Sequence, residues 1–340
     1  MLGWVWALRA VASICLLVGL IGCSSDDSEA PAREPAQVAS GGSNPLAGQA
    51  YWVDPPGPAA RQAARWRAQG RTSDASALSR IAERPTAVWL ADEGVAARAR
   101  AATARAAQAG KTALLVVYHV PGRDCGSYSA GGAGSPGGYS AWVRDVARGI
   151  GPRRATVVLE PDAIPQAVVE SCLSPQSKAQ RYALLRDAVR TLKRRSKVSV
   201  YIDAGNPGFV RSVGRLVAPL RASGIRAADG FALKVSNFYR TGHVIKYGRA
   251  LSRRLGGAHF VVDTSRNGNG PSHHDDPGGP KWCNPPGRAI GRGPTTSTGQ
   301  RKVDAYLWIK QPGTSDGTCR AGAPPAGAWW PEYALALVRN

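Results

Sequence analysis

Two runs of the chain place carboxylates where apolar strands end. Residues 114–132, LLVVYHVPGRDCGSYSAGG, leave a strongly apolar segment and set Asp124 beside Cys125 in a glycine-rich loop. Residues 157–166, VVLEPDAIPQ, end a second apolar run at Glu160 and carry Asp162 on the turn that follows. A carboxyl kept protonated beside another carboxylate can donate to a leaving oxygen, which is the acid chemistry of glycoside cleavage. Taken singly, each aspartate also reads as an ordinary loop cap or turn residue.

Elements that could bring such residues together follow from the apolar pattern. Short β-branched runs occur at 87–90, 113–118, 156–159, 198–202, 230–235, 260–262 and 305–309. Helical periodicity separates several of them, most clearly over 178–195, where Tyr182, Leu185, Val189 and Leu192 share one face. Strands alternating with helices imply an α/β fold with a parallel sheet, and about seven of them over some 290 residues imply a barrel of βα units. Polar residues gather just after the strands, at 118–124, 160–162, 203, 236–237, 263–267 and 310–316. In a barrel those exits share one face, so carboxylates remote in sequence meet there.

Before the domain, residues 1–22 read as a secretory leader, with Arg9 followed by the apolar run 11–20. That run is too short for a membrane span. It ends in Leu20-Ile21-Gly22-Cys23, which resembles the bacterial lipoprotein cleavage box with Cys23 as the lipidated residue; an ordinary signal peptide with a chance cysteine is the alternative. Residues 23–49 are rich in Ser, Ala, Pro and Gly and read as a disordered tether, holding the 50–340 domain roughly 30 Å from its anchor if it behaves as a flexible coil. The chain is thus expected to be exported, as a cell-surface lipoprotein or, alternatively, a secreted protein.

Of six cysteines, Cys125, Cys172, Cys283 and Cys319 fall in the domain. An even number in an exported chain implies two disulfides, with three connectivities open from sequence alone. Zinc is the competing reading, but no pair has CxxC spacing. The formal net charge of +21 raises nucleic acid as a partner. Its arginines are scattered along helical faces, however, and no recognition motif accompanies them. The charge reads instead as an arginine-rich style, with attraction to anionic envelope polymers as a consequence. The glycines at 267–271 lack phosphate-loop spacing, and His273, His274, Asp275 and Asp276 read as a solvated loop rather than a metal site.

Seven motifs in order, VVYHVPGRDCGSYSAGG, VVLEPDAIPQ, VYIDAGNPGF, GFALKVSNFY, VVDTSRNGNGP, WCNPPGRAIG and LWIKQPGTSDGTC, resemble the family 6 glycoside hydrolases from about residue 51 to the C-terminus. The resemblance implies a distorted parallel β/α barrel with a substrate cleft at the strand exits, and inverting hydrolysis of β-1,4-glucan. Asp162 matches the general acid, Asp124 the carboxylate that keeps it protonated, and Asp316 the candidate base, with water chains the alternative proton carrier. Tyr118 matches a tyrosine pressed against the distorted sugar. Asp203 and Arg123 match charged residues supporting the site. Substrate contacts fall to Trp89, Arg123, Phe209, Asn237, Trp282 and Lys310, whereas Trp142 and Trp308 read as core and Trp329 and Trp330 as either. Cys125 pairs with Cys172 and Cys283 with Cys319 on the same resemblance, each bond bracing a loop beside Asp124 or Asp316 and contributing on the order of 3 to 4 kcal/mol in the chain-entropy model.

Some positions depart from the family pattern. His119 and Lys234 stand where asparagine is common, Asn206 where histidine is, Phe209 where a stacking tryptophan is, and Thr314 where a glutamate binds substrate. The reading is an endo-acting, surface-tethered β-1,4-glucanase, a monomer without metal or cofactor. Its partners are a β-glucan chain and, through the lipid alone, a membrane, with no nucleic acid. The alternatives are a non-catalytic glycan-binding lipoprotein on the same fold and an exo-acting cellobiohydrolase.

Overall fold

The computed structural model describes residues 43–272 and 278–340. The leader, Cys23, most of the expected tether and the cluster His273, His274, Asp275 and Asp276 lie outside the described residues. The folded part begins earlier than residue 50. Leu46, the large apolar residue of that stretch, is fully buried, and the Asn44 amide donates to the Thr296 and Asp304 carbonyls at 3.3 and 2.8 Å.

Seven parallel strands form one sheet in sequence order: β1 (Val88–Leu90), β2 (Ala113–Val117), β3 (Ala155–Leu159), β4 (Val198–Asp203), β5 (Gly230–Leu233), β6 (His259–Asp263) and β7 (Val303–Leu307). All pairings are parallel, as the alternating strand–helix pattern requires. The sheet curls without closing by a ladder. Where β1 and β7 approach, the Ala87 N–H donates to the Trp308 carbonyl at 3.1 Å. This is the distorted barrel expected of the sequence.

Helices α1 (Pro58–Ala68), α2 (Thr72–Ala82), α3 (Val95–Gln108), α4 (Pro136–Ile150), α5 (Ala163–Val169), α6 (Pro175–Lys193), α7 (Gly214–Ala222), α8 (Thr241–Arg254) and α9 (Pro331–Arg339) complete it. The period of two along each strand divides the core. Leu115 and Val117 of β2 face the helices with Val143, Val146 and Leu185, whereas Leu114 and Val116 face the barrel interior with Val158, Tyr201, Val261 and Leu307. Trp142 and Trp308 are buried, as their apolar surroundings in sequence implied.

Candidate active site

Seven of the eight non-glycine residues with left-handed backbone among the described residues lie at strand exits or in the loops beside them: Asp124, Cys125, Glu160, Asp162, Lys234, Ser236 and Asn284. Each such residue costs on the order of 1–3 kcal/mol and persists only where its surroundings dictate it, a pattern that marks functional sites. Glu160, Asp162, Lys234, Ser236 and Asn284 are tied by backbone N–H bonds to a neighbouring strand exit or its loop, and Asp124 and Cys125 by bonds within their own loop.

The turn after β3 is the centre. Glu160 is buried and accepts from the His119 N–H at 2.9 Å and the Val120 N–H at 3.1 Å, tying the β2 exit to β3. Burial raises its carboxyl to about 7 despite those bonds. Asp162 caps α5, and its N–H donates to Asp203 Oδ2 at 2.9 Å, which also accepts from Gly205 N–H at 3.1 Å. Asp203 Oδ1 is buried without a partner. Burial raises Asp203 to about 7, with the nearby Asp263 charge adding to it. Asp162 is pushed well above the ordinary carboxyl range by burial first, then by Asp203 and Asp124. The Asp162–Asp203 pair therefore holds a proton at neutral pH.

The loop after β2 delivers Asp124 against this turn. Its Oδ2 accepts from both the N–H and the hydroxyl of Ser129 at 2.8 Å, and its Oδ1 from Gln166 of α5 at 3.1 Å. The loop folds back on itself because Gly132 adopts φ +94°, and a Cβ there would lie 2.0 Å from the Val120 carbonyl oxygen. Arg123 donates to the Tyr118, Ser129, Ala130 and Ala91 carbonyls and so organises the loop beside Asp124. Tyr118 is buried, bonded through its hydroxyl to Ser129 at 3.0 Å, and meets Trp89 edge-on at 5.4 Å.

Asp316 is held differently. Its Oδ1 accepts from Arg266 at 2.9 Å and Lys310 at 3.1 Å, and its Oδ2 from Arg266 and the Asn284 N–H at 2.9 Å each. Burial pushes its carboxyl up, but Arg266 and Lys310 outweigh this and hold it below the ordinary value. The acceptor positions of the carboxylate are filled, so a proton reaches it only by displacing a partner. Lys310 also donates to the Ser315 carbonyl at 2.9 Å, which makes it part of this cluster. Both expected disulfides, Cys125–Cys172 and Cys283–Cys319, are formed beside the Asp124 and Asp316 loops.

Strand-exit motifs contained further residues that sequence reasoning left without a role. Arg266 is fully buried on the Phe238 ring and partners Asp316. Asp263 accepts four backbone N–H bonds, from Ser236, Ser265, Ile309 and Lys310, and so gathers the exits of β5, β6 and β7. Asn237 donates its N–H to the Lys234 carbonyl, and its side-chain oxygen accepts from Phe238; Phe209 is half-buried. Neither is drawn to the carboxylates by a hydrogen bond. Polar residues after a strand were the available signal, but the partner of each could not be read without the fold.

The family model for glycosyl hydrolases family 6 matches residues 46–340. The chain belongs to that family. Endoglucanase A of Cellulomonas fimi is 42% identical over 294 residues, 85% of this chain, and endoglucanase A of Thermobispora bispora is 39% identical over 312 residues, 89% of it. The chain spans only 61% and 65% of those relatives' lengths. The solved endoglucanase Cel6 of Mycobacterium tuberculosis, in complex with methyl-cellobiosyl-4-deoxy-4-thio-β-D-cellobioside, superposes with a TM-score of 0.80 at 42% identity, covering 87% of this chain and 98% of that one.

Within this family 6 chain the departing positions are absorbed by the fold. The His119 ring stacks on Trp142 at 4.6 Å and bonds the Ala91 carbonyl through Nδ1. Asn206 accepts the Gly208 and Phe209 N–H groups in a turn. The Thr314 hydroxyl donates to the Gln311 carbonyl in its own turn. Lys234 is buried at the β5 exit, donates to the Asn237 carbonyl at 3.3 Å, and is lowered by burial to about 8.

Proposed function

We propose that this chain is an inverting, endo-acting β-1,4-glucanase whose substrate is cellulose or a related β-glucan. One observation carries the reading. Asp162 stands at a strand exit with its carboxyl held protonated by burial and by two neighbouring carboxylates, in a chain of family 6. Its proton passes to the glycosidic oxygen as the bond from that oxygen to the anomeric carbon breaks, while water attacks the carbon from the opposite face. Asp203 and Asp124 maintain the proton on Asp162 without touching the reacting atoms.

Asp316 is too fully bonded to take the water's proton directly. Its ion pairs with Arg266 and Lys310 hold the loop after β7 at the strand-exit face, and the proton leaves through water. Tyr118 contributes a buried ring beside the acid, and Trp89 and Trp282 the sugar-facing aromatics. The endo mode draws on the endoglucanase relatives. The same reading extends to the leader: lipidation at Cys23 would hold a monomeric enzyme at the cell envelope.

Asp162→Ala tests the acid. Turnover of unactivated β-1,4-glucan should fall by about 10²–10⁴-fold, the usual share of a general acid. A dinitrophenyl cellotrioside, whose leaving group needs no proton, should lose much less. Equal loss on both substrates would contradict the assignment.

A further inference from the structure

Among the described residues three large apolar side chains are strongly exposed, and two of them touch. Tyr128 and Trp282 are each 45% exposed, with ring centroids 6.0 Å apart and planes tilted by 57°. They come from two different loops of the site. Tyr128 lies four residues beyond Asp124 in the loop clamped by Cys125–Cys172, whereas Trp282 adjoins Cys283 in the segment clamped by Cys283–Cys319. Tyr128 also lies on the backbone of Gly317, next to Asp316: a Cβ at Gly317 would come within 2.6 Å of Tyr128 Cβ.

The polar tips differ from those of the less exposed aromatics. Trp89, Trp142 and Trp308 donate their indole N–H to backbone carbonyls, and Tyr118 bonds Ser129. The Tyr128 hydroxyl and the Trp282 indole N–H have no protein partner among the described residues. Exposed ring faces with free polar tips suit a ligand that offers CH faces and hydroxyls together.

Building on the glucanase reading, we infer that Tyr128 is a further substrate-binding residue, forming with Trp282 a two-facet aromatic platform for consecutive sugars of one β-glucan chain. A pyranose stacked between two rings needs two contact distances, about 7–8 Å in all. At 6.0 Å the rings are too close for that, so the chain lies across their outer faces. The neighbouring Ser129 is fixed by Asp124, and the disulfide anchors the loop, so the Tyr128 facet keeps its place relative to the carboxylates.

Tyr128→Leu retains the packing on Gly317 but removes the flat ring, and Tyr128→Phe retains the ring but not the hydroxyl. Calorimetric titration with cellohexaose and steady-state kinetics on the same ligand test the inference. Tyr128→Leu should weaken hexaose binding and raise KM about 5- to 20-fold, with kcat within about twofold and an unchanged melting temperature. Tyr128→Phe should stay within about threefold of the parent. Parent-like hexaose binding by Tyr128→Leu would overturn this inference alone, as would a lowered melting temperature with KM unchanged. No hexaose binding by the parent protein would overturn the glucanase reading and this inference with it.

Discussion

Three aspartates do different work at this site because their surroundings differ. Asp162 is buried beside two carboxylates and keeps its proton; Asp316 is buried beside two cations and gives its proton up. Asp203 is the neighbour whose charge most raises Asp162 after burial itself. Removing that charge in Asp203→Asn lowers the Asp162 pKa, so the acid loses its proton at lower pH. The alkaline limb of the kcat/KM profile should therefore move to lower pH, by about one unit or more for a change of 1.4 kcal/mol or more in the interaction. An unmoved limb would place the titrating proton elsewhere. Asp162, Asp124 and Asp316 were legible because each stands in a run of distinctive residues. Arg266 was not: it lay in a polar strand exit with no mark of its own, and only the fold brings it 50 positions along the chain to Asp316. The carbonyl partners of Arg123 were equally hidden, because they lie on the β1 exit and on the far side of its own loop.

At the scale of elements, the site is a set of strand exits stitched together by buried carboxylates. Glu160 joins β2 to β3, Asp203 joins β4 to the turn that carries Asp162, and Asp263 joins β5 and β7 to β6. The Glu160 carboxyl rises from 4.5 to about 7 in the fold. A carboxyl raised in this way contributes stability that is complete below its unfolded value and lost as pH climbs through its folded value. Between about pH 4.5 and 7 the contribution declines, by on the order of 3 kcal/mol. Glu160→Gln, neutral throughout, should remove that part of the slope. Urea melts at pH 5 and pH 7.5 measure it, and an identical slope in parent and variant would contradict the assignment. The strands themselves were legible to within one or two residues because continuous β-branched runs signal parallel, doubly buried strands. The stitching was not, since it depends on register between strands distant in sequence.

For the whole molecule, the curled sheet turns seven separate strand exits into one face, with two disulfide-clamped loops beside the carboxylates that meet at Tyr128 and Trp282. The fold class followed from strand–helix alternation alone. The start of the domain did not, because a single buried leucine and one asparagine amide are enough to draw residues 43–49 into the fold, and composition averages over them. The proposed anchoring through Cys23 belongs to this scale too. Expressed with its leader, the protein should partition into detergent, and Cys23→Ser should partition about tenfold less, as loss of the buried acyl chains requires. Equal partitioning of both forms would remove the anchor. The central claim is single-step displacement by water at this face, with Asp162 as the acid. Proton NMR of the reducing ends during the first minutes of cellopentaose hydrolysis tests it most directly. The α-anomer should appear first and relax to the equilibrium mixture, and initial accumulation of the β-anomer would contradict the account.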